Sequence, residues 1–113
     1  MTMIPEEGYL LRIFIGESDQ VEDRPLYEWL VLQAKSRGMM GFGAHSKVIH
    51  TFKIERQVWD LPMVVEIVDG LEKIEDFLDF AQGQIKRGML ATTEKVKVRV
   101  YRGGKVAPRK SLV

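Results

Sequence analysis

The chain has 113 residues, enough for one domain in which roughly two-thirds of the unfolded surface is buried. Its 17 Lys and Arg against 16 Asp and Glu leave a net charge of +1, too balanced for the whole-surface field that drives binding to nucleic acid, so no nucleic-acid partner is expected. Cysteine is absent, the start carries Glu6 and Glu7 where a signal peptide carries positive charge, and no apolar run approaches the roughly 20 residues that span a bilayer. These features fit a cytoplasmic protein.

Residues 9 to 16 alternate Leu11, Ile13 and Ile15 against Leu10, Arg12 and Phe14, which predicts a strand apolar on both faces and therefore central in its sheet. Asp23 is placed to cap, and Pro25 to begin, a helix to about Arg37 with Leu26, Trp29, Leu30 and Ala34 on one face and Gly38 as its stop. The glycines at 38, 41 and 43 predict a loop from Gly38 to Lys47. Residues 48 to 54 alternate as a strand, and Met63 to Val68 form another, which suggests a hairpin between them. Asp69 caps a second helix carrying Leu71, Ile74, Phe77, Leu78, Ala81 and Ile85, with Gly88 as its end. Met89 to Thr92 begins an extended segment, and Val96, Val98 and Val100 mark the last strand. Residues 1 to 102 form the domain, and 103 to 113 read as a basic, disordered tail.

The order strand, helix, strand, strand, helix, strand predicts an α+β fold: a ferredoxin-like βαββαβ sandwich whose antiparallel sheet carries both helices on one face. Its first and third strands are then central neighbours. Their second faces, with Leu10 and Phe14 beside Val64 and Val68, are too apolar to stay wet, so sister subunits are expected to cover them. Arg12 and Glu66 fall mid-strand on that side and are placed to pair.

The segment from Gly38 to Lys47 has the ingredients of an anion cradle, namely backbone N–H groups freed by glycine plus donors from Arg37, His45, Ser46 and Lys47. The same composition fits a connector whose glycines only permit turning. His45 and His50, the only histidines, are candidate metal ligands with Glu17, Glu55 or Asp60, and equally ordinary surface residues. Ser46 beside His45 is no catalytic triad, because no orienting carboxylate or oxyanion hole accompanies it, and no enzymatic activity is expected.

Leu-Leu-Arg-Ile-Phe-Ile-Gly-Glu-Ser-Asp (10 to 19), Pro-Leu-Tyr-Glu (25 to 28), Met-Gly-Phe-Gly-Ala-His-Ser (40 to 46) and Asp-Leu-Pro-Met-Val-Val-Glu-Ile-Val-Asp (60 to 69) resemble the PII-like proteins of domain-of-unknown-function family 190. The resemblance runs from about residue 9 to 102. It implies a PII-like trimer and a regulatory role in which a small anionic effector, a nucleotide among the candidates, binds between subunits and a partner such as a membrane transporter or channel responds. Gly41, Phe42, Gly43, His45 and Ser46 match the family's glycine motif, and Glu17 and Asp19 its acidic pair. At Lys86-Arg87-Gly88 only Gly88 fits the basic glycine segment of nucleotide-binding relatives, which argues against ATP binding in the PII manner. The expected effector site thus comprises Arg37, Gly41, Phe42, Gly43, His45, Ser46, Lys47 and Gly88. A divalent-metal-binding trimer similar to the copper-tolerance proteins, using His45 or His50, is the alternative. About one strand's worth of family residues is missing between Gly38 and Met39; either residues 48 to 54 take that edge position, or a segment is omitted.

Overall fold

The computed structural model describes residues 7–46, 62–85 and 89–99, together with the backbone of 101–102 and 105–106. In chain order the elements are β1 (Glu7–Gly16), a ribbon of β2 (Gln20–Val21) and β3 (Arg24–Pro25), α1 (Leu26–Ser36), β4 (Gly41–Ser46), β5 (Pro62–Asp69), α2 (Leu71–Gln84), β6 (Leu90–Lys97), and a second ribbon of β7 (Tyr101–Arg102) and β8 (Lys105–Val106). The main sheet has the order β4-β5-β1-β6 with every neighbouring pair antiparallel, so β1 and β5 are central as the ferredoxin-like reading requires.

That order makes β1 parallel to β4 and β5 parallel to β6, each pair joined through a helix. The two crossovers step in opposite senses along strands of opposite direction, so the right-handedness such connections obey brings both helices to one face. Register then sorts the residues. Leu11 faces Ile67 and Ile13 faces Val65 across the two central strands, and these four join Leu26, Trp29, Leu30 and Ala34 of α1 and Ile74, Phe77 and Ala81 of α2 in a single buried core. The α1 stripe is the one predicted from the 3.6-residue period, and in α2 the predicted Ile74, Phe77 and Ala81 are buried with Leu78 and Ile85 packed against them, whereas Leu71, at the first position of the helix, is exposed.

Gly38 terminates α1 at φ +68°, a conformation that costs other residues a Cβ clash. Its N–H donates to Lys35 O at 3.0 Å and the N–H of Met39 donates to Ala34 O at 3.0 Å, the paired bonds of a Schellman closure with a buried apolar residue, Met39, after it.

Several local expectations change. Asp23 does not cap α1; it follows Glu22 at positive φ (63° and 51°) in the turn of the β2–β3 ribbon, and Pro25 occupies the cap position with its φ of −58° already suited to a helix. Asp69 lies one residue too early to cap α2, whose cap position is Gly70. Its buried carboxylate instead accepts from the Gly70 N–H at 2.7 Å and from the Met40 N–H at 2.9 Å, tying the start of β4 to the β5–α2 corner. Lys73 completes the tie, 3.5 Å from Asp69 and donating to Gly38 O at 3.0 Å. Helix α2 ends at Gln84, before Gly88, which lies outside the described residues.

The largest correction concerns the glycine segment, which is no loop: Gly41–Ser46 is strand β4, hydrogen-bonded along β5. The position beside β5 expected for residues 48 to 54 is therefore taken by the glycine segment itself; those residues lie outside the described ones. The last long strand begins at Leu90 and ends at Lys97, earlier than the Val96 to Val100 alternation suggests, and Lys105–Val106 pairs back onto Tyr101–Arg102 in place of a wholly irregular tail. No helix among the described residues is long and apolar enough to cross a membrane.

Two glycines test this account. Gly38→Ala should lower stability by about 1–2 kcal/mol because of its left-handed backbone. Gly83→Ala, inside α2 with nothing within 4 Å of the added carbon, should raise stability by about 0.5–1 kcal/mol. Urea unfolding midpoints of the two variants measure both.

Candidate functional site on the helix-free sheet face

The alternation that buries Leu11 and Ile13 under the helices turns Leu10, Arg12 and Phe14 to the opposite face. Register brings Val68, Glu66 and Val64 of β5 beside them, Gly41, Gly43 and His45 of β4 beyond, and Leu90, Thr92, Glu94 and Val96 of β6 on the other flank. The face is thus an apolar surface with a charged line across its middle. Leu90 is 63% exposed, an unusual exposure for a large apolar strand residue.

The charged line runs through all four strands. Arg12 Nε donates to Glu66 Oε2 at 2.9 Å, the pairing predicted from the sequence, and Arg12 Nη1 donates to Glu94 Oε1 at 3.1 Å. His45 Nε2 lies 3.3 Å from the other oxygen of Glu66, and His45 Nδ1 lies 3.3 Å from the backbone oxygen of Ser46. The hydrogen bond with Glu66 raises the Arg12 guanidinium further above its ordinary range. The hydrogen bond from Arg12, helped by His45, holds the Glu66 carboxyl below the usual carboxylate range against a smaller opposing effect of burial.

Gly41 and Gly43 have no positive φ, so neither is needed to bend the chain. Their effect is the missing side chain. A Cβ on Gly41 would meet Val68 at an ordinary 3.7 Å, and one on Gly43 would meet nothing within 4 Å. The chain's own packing leaves a bare strip beside Glu66 and Val68.

The expected site residues divide. Gly41, Gly43 and His45 share the helix-free face, and Ser46 ends the strand beside His45. Phe42 points the other way, opposite Ile67, and is 39% exposed. Arg37 is on the helical layer, its guanidinium carbon 3.7 Å from the ring centre of Phe80, which in turn stacks on Trp29 at 5.5 Å. Arg37 and His45 are therefore on opposite sides of the sheet. Lys47, His50 and Gly88 lie outside the described residues. Along strand β4 the backbone N–H groups alternate in direction and do not converge on one point.

Of the acidic pair, Asp19 is structural in its contacts: its carboxylate accepts from the Gly16 N–H at 3.0 Å and its carbonyl from the Leu26 N–H at 2.7 Å, closing the turn after β1. No group of three potential metal ligands occurs among the described residues. Glu94 was not singled out by sequence reasoning. The available signal was the opposite charge of Arg12, but it becomes visible only once β6 is known to begin at Leu90.

The sign of the Glu66 effect gives a prediction. Its carboxyl titrates lower folded than unfolded, so the associated stability is fully present above the unfolded value of about 4.3 and is lost as the pH falls through the lower folded value. Glu66→Gln should remove this dependence, so that urea unfolding of wild type and variant, compared from about pH 7 down to about pH 3, converges at the acid end.

The chain matches the family model DUF190, described as Uncharacterized ACR, COG1993, over residues 8–98. It is similar to two proteins of Aquifex aeolicus (strain VF5), each named UPF0166 protein. One is 39% identical over 98 residues, covering 79% of this chain and 90% of the relative; the other is 33% identical over 92 residues, covering 79% and 94%. The apolar strand β1 from Gly8 onward, the glycine strand β4 and the β5–α2 corner held by Asp69 fall inside the matched span, and the chain belongs to the DUF190 family, known as a PII-like family.

Proposed function

We propose that this chain is one subunit of a homotrimeric regulatory protein of PII-like type. Sister copies cover the helix-free sheet face, and a small anionic effector, with nucleotides as candidates, binds in the crevice beside β4 and changes how the assembly engages a partner such as a membrane transporter or channel. No bond is made or broken in this reading; the protein signals by binding.

One observation carries it: a sheet face bearing Leu10, Phe14, Val68, Val96 and a 63% exposed Leu90 around its charged line. An apolar surface organised in this way marks an association site. Family membership supports the regulatory side, and the bare strip at Gly41 and Gly43 supports a binding place at the same edge.

Two measurements test the proposal. Mass determination in solution at micromolar concentration should give three times the 13.0 kDa chain mass, and Leu10→Glu should yield a folded monomer. Thermal-shift screening with nucleotides should raise the melting temperature of wild type but not of Gly43→Val. That variant is informative because valine suits a strand and its first carbon meets no neighbour in the subunit, so a lost response reports the covered face and not misfolding. A monomer at every concentration overturns the assembly, and indifference to every nucleotide overturns the nucleotide effector.

A further inference from the structure

We infer that the two flanks of the helix-free face meet each other in the assembly, Leu90 of one copy seating on the bare strip at Gly41 and Gly43 of the next; this rests on the oligomer reading above. The two features are complementary and lie on opposite sides of one face. On the β6 flank Leu90 stands 63% exposed, opposite Phe14 in the register. On the β4 flank Gly41 and Gly43 present backbone alone. His45, the one side chain that β4 turns to this face, leans toward β5 with Nε2 3.3 Å from Glu66 and leaves the strip uncovered.

The two features cannot satisfy each other within a subunit. Strands β5 and β1 separate β4 from β6, so three strand spacings, roughly 14 Å, lie between the strip and Leu90. A Cβ added at Gly43 meets nothing within 4 Å, so there is room above the strip. A glycine inside a strand marks a place where another group approaches closely, and a large side chain on a neighbouring strand is what fills the gap above it.

Symmetry decides which contact between copies uses both features. Pairing like with like, Leu90 on Leu90 or strip on strip, leaves the other feature bare. Joining the unlike flanks uses both at every contact, and a contact between unlike surfaces closes into a ring when its rotation permits. Strand direction agrees. Neighbouring strands alternate in direction across the order β4-β5-β1-β6, so β6 of one copy set beside β4 of the next in the same sense runs antiparallel to it, as every pair within this sheet does. The crevice proposed beside β4 then has Leu90 of the neighbouring copy as its far wall, and the effector site is built from two copies.

The absence of cysteine allows a direct test by cross-linking. Gly43→Cys and Leu90→Cys combined in one chain are too far apart to bridge within the subunit, because a disulfide needs Cα atoms within about 7 Å. Mild oxidation should therefore join copies and give bands at two and three times the 13.0 kDa chain mass on a non-reducing gel, while each single-cysteine variant stays at one. Association constants from analytical ultracentrifugation supply a second measurement. Leu90→Ala should weaken association about tenfold or more. Gly43→Val should weaken it in the wild-type chain, where the valine meets the neighbouring copy's Leu90, and several-fold less in the Leu90→Ala background. Either the cross-linked ring or this non-additivity supports the contact, since the two positions are too distant to couple inside one subunit. Cross-linking of either single-cysteine variant, or no cross-linking of the double variant together with additive substitutions, overturns the contact while leaving the oligomer standing. A monomer at every concentration removes the oligomer and the contact together.

Discussion

The constraint on which the molecule depends is that two central strands are apolar on both sides while the two helices cover only one. Both crossovers deliver their helices to the same face, and nothing in the topology can send one of them to the other side. The core beneath α1 and α2 then forms from every second residue of β1 and β5. The remaining residues are left over by geometry, and their composition is the informative part. Leu10, Phe14 and Val68 are not what a permanently wetted sheet surface carries.

Arg12, Glu66, Glu94 and His45 give that leftover surface a direction. An apolar face alone would accept a neighbour in many orientations, whereas a line of alternating charge across four strands penalises orientations that bring like charges together. The positions along the line are fixed by backbone register, Arg12 directly opposite Glu66, with no loop involved.

How far this was legible in the sequence depends on how local the cause is. The α1 stripe, the α2 stripe from Ile74 onward, the central position of β1 and the Arg12–Glu66 pair follow from periodicities of 3.6 and 2, and these were readable directly. The identity of β4 was not. Gly41 and Gly43 disfavour a strand by intrinsic propensity, and the segment is extended because β5 offers it a ladder and Asp69 holds the N–H of Met40. The cap assignments failed for the same reason: Asp23 and Asp69 are capping residue types near helix starts, yet each has a tertiary or turn role one or two residues early. Arg37 had the right chemistry for an anion but lies over Phe80, a partner set by helix packing and invisible in spacing.

The bond from Met40 to Asp69 has one more consequence. It clamps the chain a single residue before β4 begins, so the parity of everything downstream is counted from that clamp. An insertion of one residue between Met40 and Phe42 would swing His45 under the helices and thrust Phe42 outward, whereas an insertion of two would leave each side chain on its own side. Evolution can therefore lengthen or shorten this stretch only in even steps if the charged line is to survive.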